Sequence, residues 1–257
     1  MLKLKRTEEI EHLRENNQIV SMTLAELGKM IRPGVTTLEL DKRAEEFIRD
    51  HGAEPGFLGY GGFPNSICTS VNDAVVHGIP SDYQLKDGDI ISIDCGTIKN
   101  GYYGDSAYTF AVGQVDPQVQ KLMQATRESL FKGIEKAVAG NRVGDISYAV
   151  QHHAEEAGFS VVREMVGHGL GSNMHESPEI PNYGKRGKGP QLKEGLVICI
   201  EPMINLGSRS IKQDRDGWTI RTMDGKPSAH YELALAIRNG QPDVLSTFDY
   251  IEKPSTT

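Results

Sequence analysis

Apolar residues recur at helical spacing through Ile10, Leu13, Val20, Leu24 and Leu27, behind a Thr7-Glu8-Glu9 start, and the run stops at Arg32-Pro33-Gly34. A second helix is predicted directly after it. Thr36 and Glu39 have capping-box spacing, Leu40, Ala44, Phe47 and Ile48 line one face, and Gly52 is placed to end it. The period then changes. Ile67 to Val76 and Asp89 to Cys95 are rich in β-branched residues and bounded by Gly and Pro, which reads as strand, and Asn100-Gly101 marks a hairpin turn.

The order repeats in the second half. Asp116-Pro117 starts a helix carrying Val119, Leu122, Met123, Leu130, Ile134 and Val138 that ends near Gly140, and a shorter helix runs from about Asp145 to Gly158. Strand-like segments follow around Ser160 to Val166, Leu196 to Ile204, Trp218 to Thr222 and His230 to Ile237. Val35 with Leu38 and Val143 with Ile146 hold matching places before the second helix of each half, a hint of duplication. No Ser/Gly linker separates the halves. The expectation is one domain over residues 1–257, with internal halves of about 1–114 and 115–257 sharing a sheet or core.

A length of 257 residues fits a single core. The 28 Lys and Arg stand against 35 Asp and Glu, a net charge of -7, with no basic cluster to follow a phosphate backbone, so nucleic-acid specificity is not expected. Cys68, Cys95 and Cys199 are odd in number and form no CxxC pair, which argues against a disulfide framework and a thiolate zinc site and for a reducing compartment. The start, Met1-Leu2-Lys3-Leu4-Lys5-Arg6, has no apolar h-region, and no stretch of ~18 apolar residues occurs, so a cytoplasmic chain without membrane contact is expected.

Carboxylates change the picture. A two-residue hairpin at Asn100-Gly101 pairs Lys99 with Tyr102, places Asp94 opposite Ala107 and Gly96 opposite Asp105, and makes the two aspartates diagonal neighbours on one face. A lone aspartate at a strand end is ordinarily satisfied by backbone N–H groups. Two of them, behind the apolar Ile90, Ile91 and Ile93, need a cation between them to offset a desolvation cost of several kcal/mol. Glu201 closes another apolar run, Leu196 to Ile200, before Pro202, and Glu232 alternates with large apolar residues in a late strand. His168 sits in Gly167-His168-Gly169-Leu170-Gly171, where glycines allow close approach of imidazole or backbone to a ligand. Four carboxylates and one imidazole form an oxygen-rich set suited to Mn, Fe, Co or Zn in pairs. His175-Glu176-Ser177-Pro178-Glu179 lacks the second histidine of a zincin helix, and no dinucleotide or phosphate-loop fingerprint is complete, so no nucleotide cofactor is indicated.

Asp94, Asp105, His168 in its glycine cluster, Glu201 before Pro202 and Glu232, in this order and over nearly the whole chain, resemble the pita-bread metallopeptidases, most closely the type I methionine aminopeptidases. The resemblance implies an α+β pita-bread fold, with duplicated helix-helix-strands halves and a central antiparallel sheet backed by helices. It implies two divalent ions held by Asp94, Asp105, His168, Glu201 and Glu232, and removal of N-terminal methionine before a small second residue by attack of a metal-bridged hydroxide on the scissile carbonyl. Glu201 would relay a proton, His175 would stabilise the oxyanion and His77 would contact the scissile amide. Phe57, Tyr60, Phe63, Cys68, Met174 and Trp218 would line the methionine pocket, with His77 and His175 also touching substrate. A monovalent cation is implied near Asn72 and Ser228. The implied partners are the N-termini of nascent polypeptides, with transient ribosome contact, and the implied state is a monomer of bacterial type without a zinc-binding N-terminal extension. The chain departs from the family in having Leu233-Ala234 for the usual His-Thr, His230 for a commoner Gln, and Met174 where an aromatic is frequent. Strand alternation directs Leu233 away from the metals, so the ligand set is expected to survive. The nearest rival within the fold is an aminopeptidase P or prolidase acting on Xaa-Pro bonds.

Overall fold

The computed structural model of the chain describes residues 2–253. Its first half runs α1 (Thr7–Gly28), α2 (Thr37–Asp50), β1 (Glu54–Pro55), β2 (Ile67–Val71), β3 (Ala74–Val76), β4 (Ile90–Lys99) and β5 (Tyr102–Ala111). The second runs α3 (Pro117–Ile134), α4 (Val143–Glu156), β6 (Ser160–Val161), β7 (Gly167–Gly169), β8 (Glu176–Ile180), β9 (Val197–Ile200), β10 (Met203–Asn205), β11 (Ile211–Gln213), β12 (Ile220–Thr222), β13 (Ser228–His230), β14 (Glu232–Ala236), β15 (Asp243–Val244) and α5 (Asp249–Glu252).

Local chemistry sets these boundaries. Thr36 and Glu39 form the expected reciprocal cap of α2, and the Asp116 carboxylate accepts from Gln118 N at 2.7 Å with Pro117 opening α3. The β4–β5 hairpin pairs Lys99 with Tyr102, Asp94 with Ala107 and Gly96 with Asp105, the register that the Asn100-Gly101 turn predicts.

The main sheet has nine strands in the order β1-β4-β5-β14-β9-β7-β8, with β2 also on β4 and β15 on β14, all antiparallel. It runs unbroken across both halves because β14 pairs with β5 on one side and β9 on the other. Helices α1 and α2 bury Leu24, Leu27, Leu40 and Ile48 with Ile91, Ile93 and Cys95 of β4. Helices α3 and α4 bury Leu122, Leu130, Ile146 and Val150 with Ile198, Ile200, Leu233 and Leu235. Each such side chain contributes about 1.5–3 kcal/mol. With alternate strand positions committed to this packing, the intervening residues Asp94 and Glu232 must face the other way.

Two predicted strands split. The Ile67–Val76 run breaks at Asn72, whose φ of 52 carries β3 out of the main sheet to pair with β12. The Leu196–Ile204 run breaks at Glu201-Pro202, since Pro202 has no N–H for the ladder, and β10 joins β13 and β6 in a separate small sheet. The third helix stops at Ile134, short of the predicted Gly140. Among the described residues, no helix is long and apolar enough to cross a membrane.

Candidate metal centre

Strand register builds the site. Asp94 pairs with Ala107 and Ala107 with Glu232, so these three form a row across β4, β5 and β14, and Asp105, two residues before Ala107, shares its face. Glu201 stands just past the end of β9, fixed by the Asn182 amide donating to its carbonyl at 3.0 Å. His168 arrives on β7, the next strand over, where Gly169 pairs with Ile198. The flanking glycines are required by space. A Cβ on Gly167 would overlap the Cys199 carbonyl oxygen, and one on Gly169 would lie 2.7 Å from that of Ser177.

The His168 tautomer follows from one bond. Nδ1 lies 3.0 Å from the Gly169 carbonyl oxygen, which can only accept, so Nδ1 carries the proton. The Nε2 lone pair then faces Asp105 Oδ2 at 3.6 Å and Glu201 Oε1 at 3.5 Å. Such a carbonyl-anchored ring is the usual form of a metal-binding imidazole.

By themselves these side chains repel one another and are costly to bury. Burial pushes the Asp94 carboxyl up to about 7. Burial, with Glu232 and Asp94 adding like charge, holds Asp105 well above the ordinary range, and burial together with neighbouring carboxylates does the same to Glu201 and Glu232. Burial lowers His168 to about 4. Asp94 Oδ1, Asp105 Oδ1 and Glu232 Oε1 are buried with no hydrogen-bond partner among the described residues. Unpaired buried acceptors of this kind are costly, and divalent cations satisfy them with the oxygen and nitrogen donors present. The residues therefore fit a metal site.

A cavity of about 150 Å³ reaches this cluster; Phe57, Tyr60, Phe63, Cys68 and Trp218 supply its apolar wall and His77 and His175 its remaining polar edge. Phe63 and Trp218 meet edge to face at 5.2 Å. Tyr60 Oη lies 2.8 Å from His175 Nδ1, and the His175 ring packs 4.4 Å from that of His168. Burial lowers the pKa of both His77 and His175, so both rings are neutral at pH 7. Of the predicted pocket residues, Met174 is not brought to the cavity wall. It is fully buried beneath Gly56 and Gly96, in the core that also holds Leu13 and Leu170. Leu233 packs with Tyr231 and Leu235 against the helices, on the side away from the Glu232 carboxylate, as alternation predicts. Asn72 and Ser228 are adjacent, the Ser228 N–H donating to the Asn72 carbonyl at 2.9 Å.

Two residues given no site role from sequence belong to this neighbourhood. Cys199 places its sulfur within 4.8 Å of ligand atoms of Asp105, His168 and Glu232. The signal was available: Cys199 lies two positions before Glu201 and so on the same strand face. His230 is buried, its Nε2 3.8 Å from Glu201 Oε2, and burial holds its pKa at about 3.

The profile of Metallopeptidase family M24 matches residues 11–238. The chain is 51% identical to the methionine aminopeptidase of Clostridium acetobutylicum over 96% of its own length and 99% of that protein. It is 51% identical to methionine aminopeptidase 1 of Bacillus subtilis with the same coverage of each. The crystal structure of methionine aminopeptidase from Rickettsia prowazekii superposes with a TM-score of 0.95 at 40% identity, covering 96% of this chain and 100% of that one. The Xaa-Pro dipeptidase of Bacillus anthracis shares the fold alone, with a TM-score of 0.77 at 22% identity, 95% of this chain covering 62% of that one.

Proposed function

The chain belongs to the methionine aminopeptidases of metallopeptidase family M24, and from that membership we propose that it removes N-terminal methionine from nascent proteins and peptides with a small second residue, using two divalent metal ions. The observation that carries this reading is the convergence of Asp94, Asp105, His168, Glu201 and Glu232 with three buried, unpaired carboxylate oxygens. These five residues would hold the ions, with Mn, Fe, Co or Zn compatible with the donors. The bound pair would supply a water activated near neutral pH and polarise the carbonyl under attack.

The remaining chemistry falls to side chains. Glu201, at the edge of the cluster and held above the usual carboxylate range by burial and by Asp94 and Asp105, takes up a proton and delivers it to the leaving amine. With the Tyr60 hydroxyl donating to His175 Nδ1, the neutral ring keeps its proton on Nε2 and donates it to the developing oxyanion. His77, on the same cavity wall, contacts the scissile amide. The aromatic wall of Phe57, Phe63 and Trp218 suits an unbranched thioether. On this reading the two internal halves, 1–114 and 115–257, work as one catalytic domain, a cytoplasmic monomer that meets its substrates at the ribosome, and a monovalent cation sits near Asn72 and Ser228.

Purified protein with Mn or Co is expected to release free methionine from Met-Ala-Ser, and much less from a peptide whose second residue is bulky. Folded protein that releases none with any divalent ion would overturn the reading. Asp94→Ala is expected to abolish turnover and lower bound metal per chain, measured by elemental analysis, while circular dichroism stays unchanged. Undiminished turnover would remove Asp94 from the site.

A further inference from the structure

The strand after His175 is tied to the segment before α1 by an ion pair that water barely reaches. Lys5 Nζ lies 2.6 Å from Glu176 Oε2, with the two side chains 6% and 4% exposed. The same ammonium donates to the Lys3 carbonyl at 3.2 Å, and the Lys5 N–H donates to the Gly195 carbonyl at 2.6 Å. Backbone contact therefore fixes where the charge sits. Glu176 spends its other oxygen on the loop before it, accepting from Asn173 N at 3.3 Å, and Lys3 Nζ reaches that oxygen from the exposed side at 3.3 Å. Space enforces the contact as well. A Cβ on Gly171 would stand 2.6 Å from both Glu176 Oε1 and Lys5 Cε, so a larger residue there would displace the ends of the paired side chains.

Glu176 directly follows His175 and opens β8, the outermost strand of the main sheet beyond β7. An edge strand has a ladder on one side only. On that ladder β8 is paired with β7 at Gly169 and Gly167, with an irregularity between them. Register thus holds His175 less firmly than it holds Asp94 or Glu232. Beside the Glu176–Gly169 ladder pair and the Tyr60 contact to the His175 ring, the charge pair adds a further tie at the residue after His175, and a shift of about 1 Å in a group donating to a transition state can cost about 10²-fold in rate.

We propose that Lys5 and Glu176 are positioning residues, which hold the His175 imidazole at the reacting carbonyl through the backbone of the 171–176 loop. The proposal rests on the role given to His175 above. Lys5 is not among the residues that line the cavity, and its side chain meets the 171–176 loop at Glu176 and beside Gly171.

The test uses the full chain loaded with Mn and the Met-Ala-Ser substrate. Lys5→Met is expected to lower kcat by at least tenfold with KM within about twofold and metal content unchanged, whereas Lys5→Arg keeps kcat within about threefold. Lys3→Ala, at the exposed end of the cluster, should leave kcat unchanged. A stability effect is separated by the double variant Lys5→Met/Glu176→Gln, which removes both buried charges together. It is expected to melt close to the wild type yet keep at least a tenfold deficit in kcat. In a His175→Ala background Lys5→Met should cost nothing further in kcat, because the two act through one group. A Lys5→Met enzyme with wild-type kcat, a double variant that regains kcat together with stability, or a Lys5→Met loss that persists in full without His175 would each overturn the proposal. Wild-type protein that fails to release methionine would instead overturn the proposed function.

Discussion

Glu201→Gln is expected to leave a folded chain whose kcat for methionine release falls by about 10²–10⁴-fold, the range for loss of a positioned proton-transfer group. The substitution keeps the shape of the side chain and its place after β9, where Pro202 and the Asn182 amide fix the backbone. It removes a carboxylate that can cycle between protonated and ionised forms while facing His168 at 3.5 Å and lining the cavity. KM should change little, since Phe57, Phe63 and Trp218 supply the apolar wall. Steady-state kinetics on Met-Ala-Ser check this, with circular dichroism to establish folding. A kcat within tenfold of wild type would mean that the proton travels by another group, and His230, 3.8 Å from the far oxygen of Glu201, would be the next to replace.

How much of this was legible in the sequence varies with the kind of interaction. The hairpin was, because a two-residue Asn-Gly turn leaves one register and that register carries Asp94 and Asp105 to one face. Glu232 was legible as a polar position alternating with committed core residues, and Leu233 as its inward neighbour. The joining of β14 to both β5 and β9, which puts Glu232 in a row with Asp94, was not, since strand order in a nonlocal sheet leaves no local mark. The ligand set as a whole came from its resemblance to a family. Periodicity overran the ends of strands at Asn72 and Glu201, because an apolar run continues through a bend when both of its sides are buried. The family resemblance puts Met174 in the pocket wall, while the fold lays it under Gly56 and Gly96. Cys199 has no CxxC partner, yet its place two residues before Glu201 puts it on the strand face of the carboxylate cluster. The Lys5–Glu176 pair joins residues 171 positions apart and is invisible to any local pattern.

Removing the metal should make the protein less stable, and increasingly so as pH rises above neutrality. Asp105, Glu201 and Glu232 have folded-state pKa values well above those of an unfolded chain, and Asp94 is raised to about 7. For a raised carboxyl the stabilising contribution is complete below the unfolded pKa and is lost as pH rises through the folded one. The histidines act with the opposite sign: His77, His168, His175 and His230 are all lowered, so their contribution is present above the unfolded value of about 6.5 and is lost in acid. Between pH 4 and 6.5 the two sets oppose each other. From pH 7 to 8 the histidine contribution is nearly complete, and the carboxyls whose folded pKa still lies above the pH carry the slope, each by at most about 1.4 kcal/mol per pH unit. In EDTA the unfolding midpoint should therefore fall over that unit, at about 2–4 °C for each kcal/mol lost in a chain of this size. Mn at a hundredfold excess over its dissociation constant adds about 2.7 kcal/mol. Because binding displaces the same protons, its affinity rises with pH, and the slope should flatten or reverse. Thermal unfolding at pH 7 and pH 8, with EDTA and with Mn, reads both effects in one experiment. A midpoint that is level or rising with pH in EDTA would mean that these carboxylates do not share one buried, uncompensated site.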